Sequence, residues 1–283
     1  MLKSLLNFVL YGHFWIATAA LAMALQTQLL LAGHWSWTAL DGFIATGTLT
    51  IYALHRLVAM WLSPTTTSDE RFGVMRRFKT QILWYAVVAG LGAAYFFWHL
   101  SGSTQLLLLA PSGIALAYVL PLLNGRRLRD LPYLKIFLIA IAWSWITVVT
   151  PAHVAGVSLN WPVAWMLVER CCFIFAITIP FDIRDLAMDE QAGVSTLPRH
   201  WGIAKAKQMA YLALAGMLLA VAANWCLGTY TTAATIVLLV SGLSSAALVR
   251  ATRPDHPDYF FSGLLDGTMI LQCLLVGAAL CCG

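Results

Sequence analysis

Residues 161–190 read WPVAWMLVERCCFIFAITIPFDIRDLAMDE. The run from Trp161 to Pro180 is apolar and about the length that a bilayer's hydrocarbon core demands of a helix, roughly 20 residues. Three aspartates follow at once, Asp182, Asp185 and Asp189, at i, i+3 and i+7. On a straight helix that spacing puts all three on one face. The stretch therefore predicts a carboxylate cluster at the mouth of a membrane bundle. Carboxylates held together repel one another unless a cation lies between them. Mg²⁺ suits a phosphorylated substrate, because it takes one or two carboxylates and leaves its other positions to water and phosphate oxygens. A solvated acidic loop is the plainer reading. The turn that follows, Gly193-x-Ser195-Thr196-Leu197-Pro198, argues against it.

Outward from this stretch the chain stays apolar. Of its 283 residues 60% are hydrophobic and 10% charged, with a mean hydropathy of +0.78. That composition excludes a soluble globular domain. Apolar segments at roughly 5–32, 38–62, 79–99, 103–123, 132–150, 163–181, 208–228, 230–250 and 261–281 predict about nine spanning helices. They nearly exhaust the chain, so the expected fold is all-α, a single bundle over residues 1–283 with no separate soluble domain. The runs are continuous and do not alternate, which excludes an outer-membrane barrel. Retention of the first span is expected, although Ala20-x-Ala22-x-Ala24 imitates a signal-peptide cleavage site.

Basic residues fall in every second connection. Lys3 precedes the first span; Arg71, Arg76, Arg77 and Lys79 follow the second; Arg126, Arg127 and Arg129 follow the fourth; Arg184, Arg199, Lys205 and Lys207 follow the sixth; Arg250 and Arg253 follow the eighth. The intervening connections carry no Lys or Arg. The positive-inside rule then puts the N-terminus, the basic loops and the aspartates in the cytoplasm, and the C-terminus on the other side. The net charge of +5 is topological and does not point to nucleic acid. The six cysteines lack zinc-site spacing and read as small buried hydrophobes.

Further candidates sit near the cytoplasmic ends of the spans. His55 and Arg56 close the second span, where an Arg either snorkels or faces an anion. The loop after it, with Ser63-Pro64-Thr65, Asp69-Glu70-Arg71 and Arg76-Arg77-Phe78-Lys79, is placed to act as a lid. Lys135, about one turn inside the fifth span beside the Tyr118 segment, is expected to point into the bundle toward the aspartates. Glu169 and Arg170 are adjacent within the sixth span; helix neighbours do not face each other, so each needs its own partner. Asp266 is a candidate partner for a basic residue.

With these residues in place, the chain resembles the UbiA superfamily of intramembrane aromatic prenyltransferases. Asp182-x-x-Asp185-x-x-x-Asp189, followed by Ala192-Gly193-x-x-Thr196-Leu197-Pro198 and Gly202, is similar to the family's second aspartate-rich motif. Tyr118-Val119-Leu120-Pro121, with the basic residues downstream and Lys135, is similar to its donor-diphosphate segment. The family's first motif has the form Asn-Asp-x-x-Asp-Arg. Here that place reads Ile51-Tyr52-Ala53-Leu54-His55-Arg56, which keeps the Arg and loses the carboxylates. The resemblance implies an enzyme that moves the prenyl group of a polyprenyl diphosphate to a hydrophobic aromatic or lipid acceptor. It implies Mg²⁺ on Asp182, Asp185 and Asp189 as catalytic metal ligands, and diphosphate contacts from Arg56, His55, Tyr118, Arg126, Lys135 and Arg199. One Mg²⁺ site in place of two is expected, with Arg56 and a protonated His55 supplying the missing charge. Two other classes remain open: a catalytically silent binder of polyprenyl diphosphate or phospholipid, and a transporter using Glu169, Arg170 and Asp266 as coupling charges.

Overall fold

The computed structural model describes residues 2–62, 79–122, 127–191 and 193–281. Its elements are helical throughout. α1 (Leu2–Tyr11) and α2 (Phe14–Ala32) are followed by α3 (Ala39–Leu62), α4 (Lys79–Trp98) and α5 (Gly102–Val119). A 3-10 turn at Leu128–Asp130 precedes α6 (Leu134–Ser144), which runs through a π turn (Trp145–Val149) into α7 (Thr150–Val154). Then come α8 (Trp161–Arg184), α9 (Leu186–Gln191), α10 (Leu197–Cys226) and α11 (Thr232–Ala251). A π turn at Tyr259–Leu265 leads into α12 (Asp266–Cys281). Among the described residues, nine helices are long and apolar enough to cross a membrane, and the chain is a multi-pass integral membrane protein.

The helix ends follow local chemistry. Ser101, Asn160 and Thr231 cap α5, α8 and α11 by accepting from the backbone N–H three residues on. Gly33 closes α2 in the left-handed region, at φ 73°. Three predicted boundaries are corrected. The first span begins at Phe14, because Gly12 and His13 (φ 63°) break the apolar run and set α1 apart. The seventh begins at Leu197, before the polar residues that hydropathy alone excludes, and it is interrupted at Gly202, whose φ of 81° is open to glycine. The fourth ends at Val119, ahead of Pro121. The predicted lid, residues 63–78, lies outside the described residues.

The spans close into a ring in the order α3, α2, α12, α11, α10, α8, α6, α5 and back to α3, with α4 packed outside against α3. Small residues permit that outer contact. A Cβ on Gly42 would stand 2.6 Å from the Phe96 ring. Midway through the bundle a buried polar layer ties the ring together. Arg170 donates to the Met23 carbonyl at 2.9 Å and to Thr147 Oγ1 at 3.1 Å. Glu169 Oε2 accepts from the Tyr230 hydroxyl at 2.7 Å. Gln272 bridges Gln26 and Ser241 at 3.1 Å each. Glu169 and Arg170 thus have separate protein partners, which removes the motive for treating them as coupling charges in transport.

Glu169 is 1% exposed, and its other carboxylate oxygen has no hydrogen-bond partner among the described residues. Tyr230→Phe is therefore expected to destabilise the fold by about 1–3 kcal/mol, the cost of an unmade buried bond. Thermal unfolding in detergent checks this, and an unchanged midpoint would mean that the Tyr230 bond contributes nothing.

Candidate functional site

At one end of the ring a cavity of about 440 Å³ opens between α1, α2, α3, α5, α6, α8 and the start of α12. Its walls carry Asp182, Asp185, Asp189, Lys135, His55, Arg56 and Tyr118, so the structure brings these sequence-predicted residues to one space. A smaller apolar gallery of about 160 Å³ continues from it between α3, α5 and α6, lined by Ile51, Ile114, Leu138 and Ala142. Tyr52, His55, Tyr118, Ile139 and Trp143 border both spaces.

The aspartates do not lie on one straight helix. α8 ends at Arg184, and Asp185 (φ −85°, ψ 5°) leaves helical geometry before α9 begins. The backbone stays hydrogen-bonded across the break, from Asp189 N–H to the Asp185 carbonyl at 2.9 Å. The break separates the three side chains. Asp182 and Asp189 converge on Lys135, whose Nζ stands 2.7 Å from Asp182 Oδ1 and 3.6 Å from Asp189 Oδ2. Asp185 is held by Arg184 at 2.8 Å, and Arg184 reaches on to Asp258 at 3.5 Å.

Lys135 is the second residue of α6, a turn nearer the helix start than expected. The residue before that helix, Tyr133, sits at φ 61° and donates its backbone N–H to the Ser195 carbonyl at 3.0 Å. The start of α6 is thereby tied to the loop that follows Asp189. Burial raises the Asp189 carboxyl above its ordinary range, an effect the Lys135 charge opposes without cancelling.

On the facing wall, Arg129 Nη1 donates to His55 Nε2 and its guanidinium lies over the Tyr118 ring at 5.7 Å. A guanidinium has no acceptor atom, so the His55 ring faces a donor there. The fixed charge beside His55 is Arg129's. Arg56 donates to the Tyr11 carbonyl, with its guanidinium 5.8 Å from the Tyr11 ring centre. Burial, then the Arg56 charge, hold His13 well below the usual imidazole range. Asp130 is fixed on Arg127 at 2.9 Å. Burial pushes its carboxyl up, but the Arg127 hydrogen bonds and charge bring it below the usual value. Asp266 faces the cavity at the start of α12 and forms no ion pair among the described residues.

Arg199 lies elsewhere. It donates to the Val194 carbonyl at 2.8 Å and is absent from the cavity wall, because the turn before α10 directs it outward. Arg126 lies outside the described residues. Sequence reasoning missed Arg129, Arg184 and the pair Tyr11 and His13 as cavity residues. The Gly12-His13 interruption of the first apolar run was the available signal for that last pair.

The donors do not fit Mg²⁺ as they stand. Among the described residues no three such side chains gather around a common point. An ion with oxygen ligands at about 2.0–2.1 Å needs the space between Asp182 and Asp189 that the Lys135 ammonium fills. α3 contributes Tyr52, His55 and Arg56 to the cavity, and no carboxylate.

Comparison with known proteins places this geometry. The sequence model of the UbiA prenyltransferase family matches residues 75–272. A UbiA homologue from Archaeoglobus fulgidus bound to GPP and Mg²⁺ superposes with a TM-score of 0.64 at 13% identity, covering 98% of both chains. An apo UbiA homologue from Aeropyrum pernix K1 gives 0.63 at 13%, again over 98% of both. A digeranylgeranylglyceryl phosphate synthase structure gives 0.63 at 9%, over 98% of this chain and 99% of that one. No curated protein sequence matches.

The raised Asp189 carboxyl has a consequence with a definite sign. Its folded value lies above the ordinary 3.8. The folded state therefore takes up a proton first as the pH falls, and the stability contributed through Asp189 rises on acidification until the unfolded carboxyl titrates too. Wild type is expected to gain stability over Asp189→Asn as the pH is lowered from neutral. Unfolding midpoints of both proteins across that range check it, and a constant difference would contradict it.

Proposed function

This chain belongs to the UbiA prenyltransferase family, and we propose that its cavity binds a polyprenyl diphosphate and passes the prenyl group to a hydrophobic aromatic or lipid acceptor. The observation that carries this reading is a cation-lined mouth continuous with an apolar gallery. Lys135, Arg129 and Arg56 stand at the mouth, and the gallery beyond Tyr118 is walled by aliphatic residues and Trp143. That is the shape of a ligand with a charged head and an isoprenoid tail. A soluble phosphorylated metabolite gives no reason for the gallery.

On this reading the diphosphate rests against the Lys135 ammonium and the Arg129 guanidinium. When the C1–O bond breaks, the electron pair leaves with the diphosphate, and the two fixed cations stabilise the charge that develops. The allylic cation left behind faces Tyr118, Tyr52 and Trp143, whose ring faces favour positive charge. The acceptor's nucleophilic atom bonds to C1, and its proton passes to Asp266, a cavity carboxylate that forms no ion pair among the described residues. By the positive-inside rule the mouth faces the cytoplasm.

The resemblance also supports a second reading, a silent binder, because Tyr52 and His55 stand where it implies the first motif's carboxylates. Release of diphosphate separates the two. Purified protein in lipid nanodiscs is incubated with radiolabelled geranylgeranyl diphosphate, Mg²⁺ and a membrane lipid extract. Enzyme is expected to release diphosphate and form a labelled lipid. Binding without release assigns the silent role, and absence of binding contradicts the reading altogether. Arg129→Met should weaken binding by about 10- to 100-fold, the worth of a contact to a charged group at roughly 1.5–3 kcal/mol.

A further inference from the structure

We propose that the Lys135 ammonium stands where a relative holds its divalent cation, so that this protein binds prenyl diphosphate without a metal. The inference rests on the diphosphate reading above and deepens it. A related structure holds GPP together with Mg²⁺, and another holds DMAPP together with Mg²⁺. In the present chain the cation between the carboxylates is covalent.

Lys135 Nζ lies between Asp182 Oδ1 and Asp189 Oδ2, at 2.7 Å and 3.6 Å, with its side chain 9% exposed. The shorter contact is a charge-assisted hydrogen bond from Lys135 to Asp182. Lys135 Nζ, Asp182 Oδ1 and Asp189 Oδ2 are all buried. An ammonium carries three donors. Asp182 takes one, and Asp189 at 3.6 Å is too far for a full bond, so at least one donor of Lys135 remains for an oxygen that enters the cavity, which a phosphate supplies. The ammonium is also fixed in place, because α6 begins at Leu134 and is anchored through Tyr133 to Ser195. Removing Lys135 from this position would leave two buried carboxylates uncompensated.

The rest of the cavity points the same way. Asp185, the third carboxylate of the motif, is engaged by Arg184, which also pairs with Asp258. The facing helix α3 supplies Tyr52, His55 and Arg56, so no ion can be bridged across the cavity between carboxylates of α3 and α8. What that wall does present is a guanidinium, Arg129, seated on His55 and Tyr118. Lys135 and Arg129 therefore meet a diphosphate from two sides with organic charge.

The test is calorimetric titration of geranyl diphosphate into the full-length protein in nanodiscs, once with excess EDTA and once with Mg²⁺. Wild-type affinity is expected to differ by less than about threefold between the two, a small fraction of what a lost charge contact costs. Lys135→Met should lose at least about tenfold in EDTA and recover with Mg²⁺, because the ion then takes the space between Asp182 and Asp189. Should Lys135→Met fail to fold, the wild-type comparison alone decides. Wild-type binding that appears only with Mg²⁺ overturns this inference and leaves the diphosphate reading standing. No binding under either condition overturns both.

Discussion

A single ammonium between two buried carboxylates is the interaction on which this site depends. Asp182 belongs to α8, Asp189 to α9 and Lys135 to α6, so one ammonium joins three helices. Low-dielectric surroundings make such an arrangement all or nothing: paired, it is rigid, and with one member removed it leaves uncompensated charge. The same contact forms part of the cavity wall. Everything proposed for the ligand, from the seat of its diphosphate to the direction of its tail, is measured from that ammonium.

The ring of spans serves this contact by excluding water and holding backbone ends at fixed height. Its polar layer lies elsewhere, around Glu169, Arg170, Gln26 and Gln272, and each of these groups has a partner supplied by another segment. Buried charge in the chain thus divides into two sets. The deeper set, with Arg170 on Met23 and Thr147 and Glu169 on Tyr230, fastens helices to one another. The set at the mouth, Lys135 with Asp182 and Asp189, lines the cavity.

The spans were legible because hydrocarbon thickness imposes a length that composition alone reveals. Their ends were less so. Leu197 to Lys207 belongs to α10 although its Arg, His and Lys residues lower the local hydropathy, and the gap at Gly12 and His13 is a backbone event that an apolar average conceals. The motif Asp182-x-x-Asp185-x-x-x-Asp189 lies at the end of α8 and in α9, on the wall of the cavity. Its spacing implied a common face only for a straight helix, and the break at Asp185 sends that side chain to Arg184 instead. Lys135 was legible from its place at the start of a span beside the Tyr118 segment. Arg129 was not, because a basic loop at a membrane surface reads as topology until His55 is seen against it. The family match begins at residue 75, beyond the Tyr52 to Arg56 segment.

The most direct measurement is crystallographic. Crystals of the protein with geranyl diphosphate, grown in Mn²⁺ and measured at the manganese absorption edge, report the ion and the diphosphate together. The account predicts phosphate oxygens on Lys135 and Arg129, with no anomalous peak between Asp182 and Asp189. A manganese peak bridging those two carboxylates, with the Lys135 side chain displaced from between them, would contradict it.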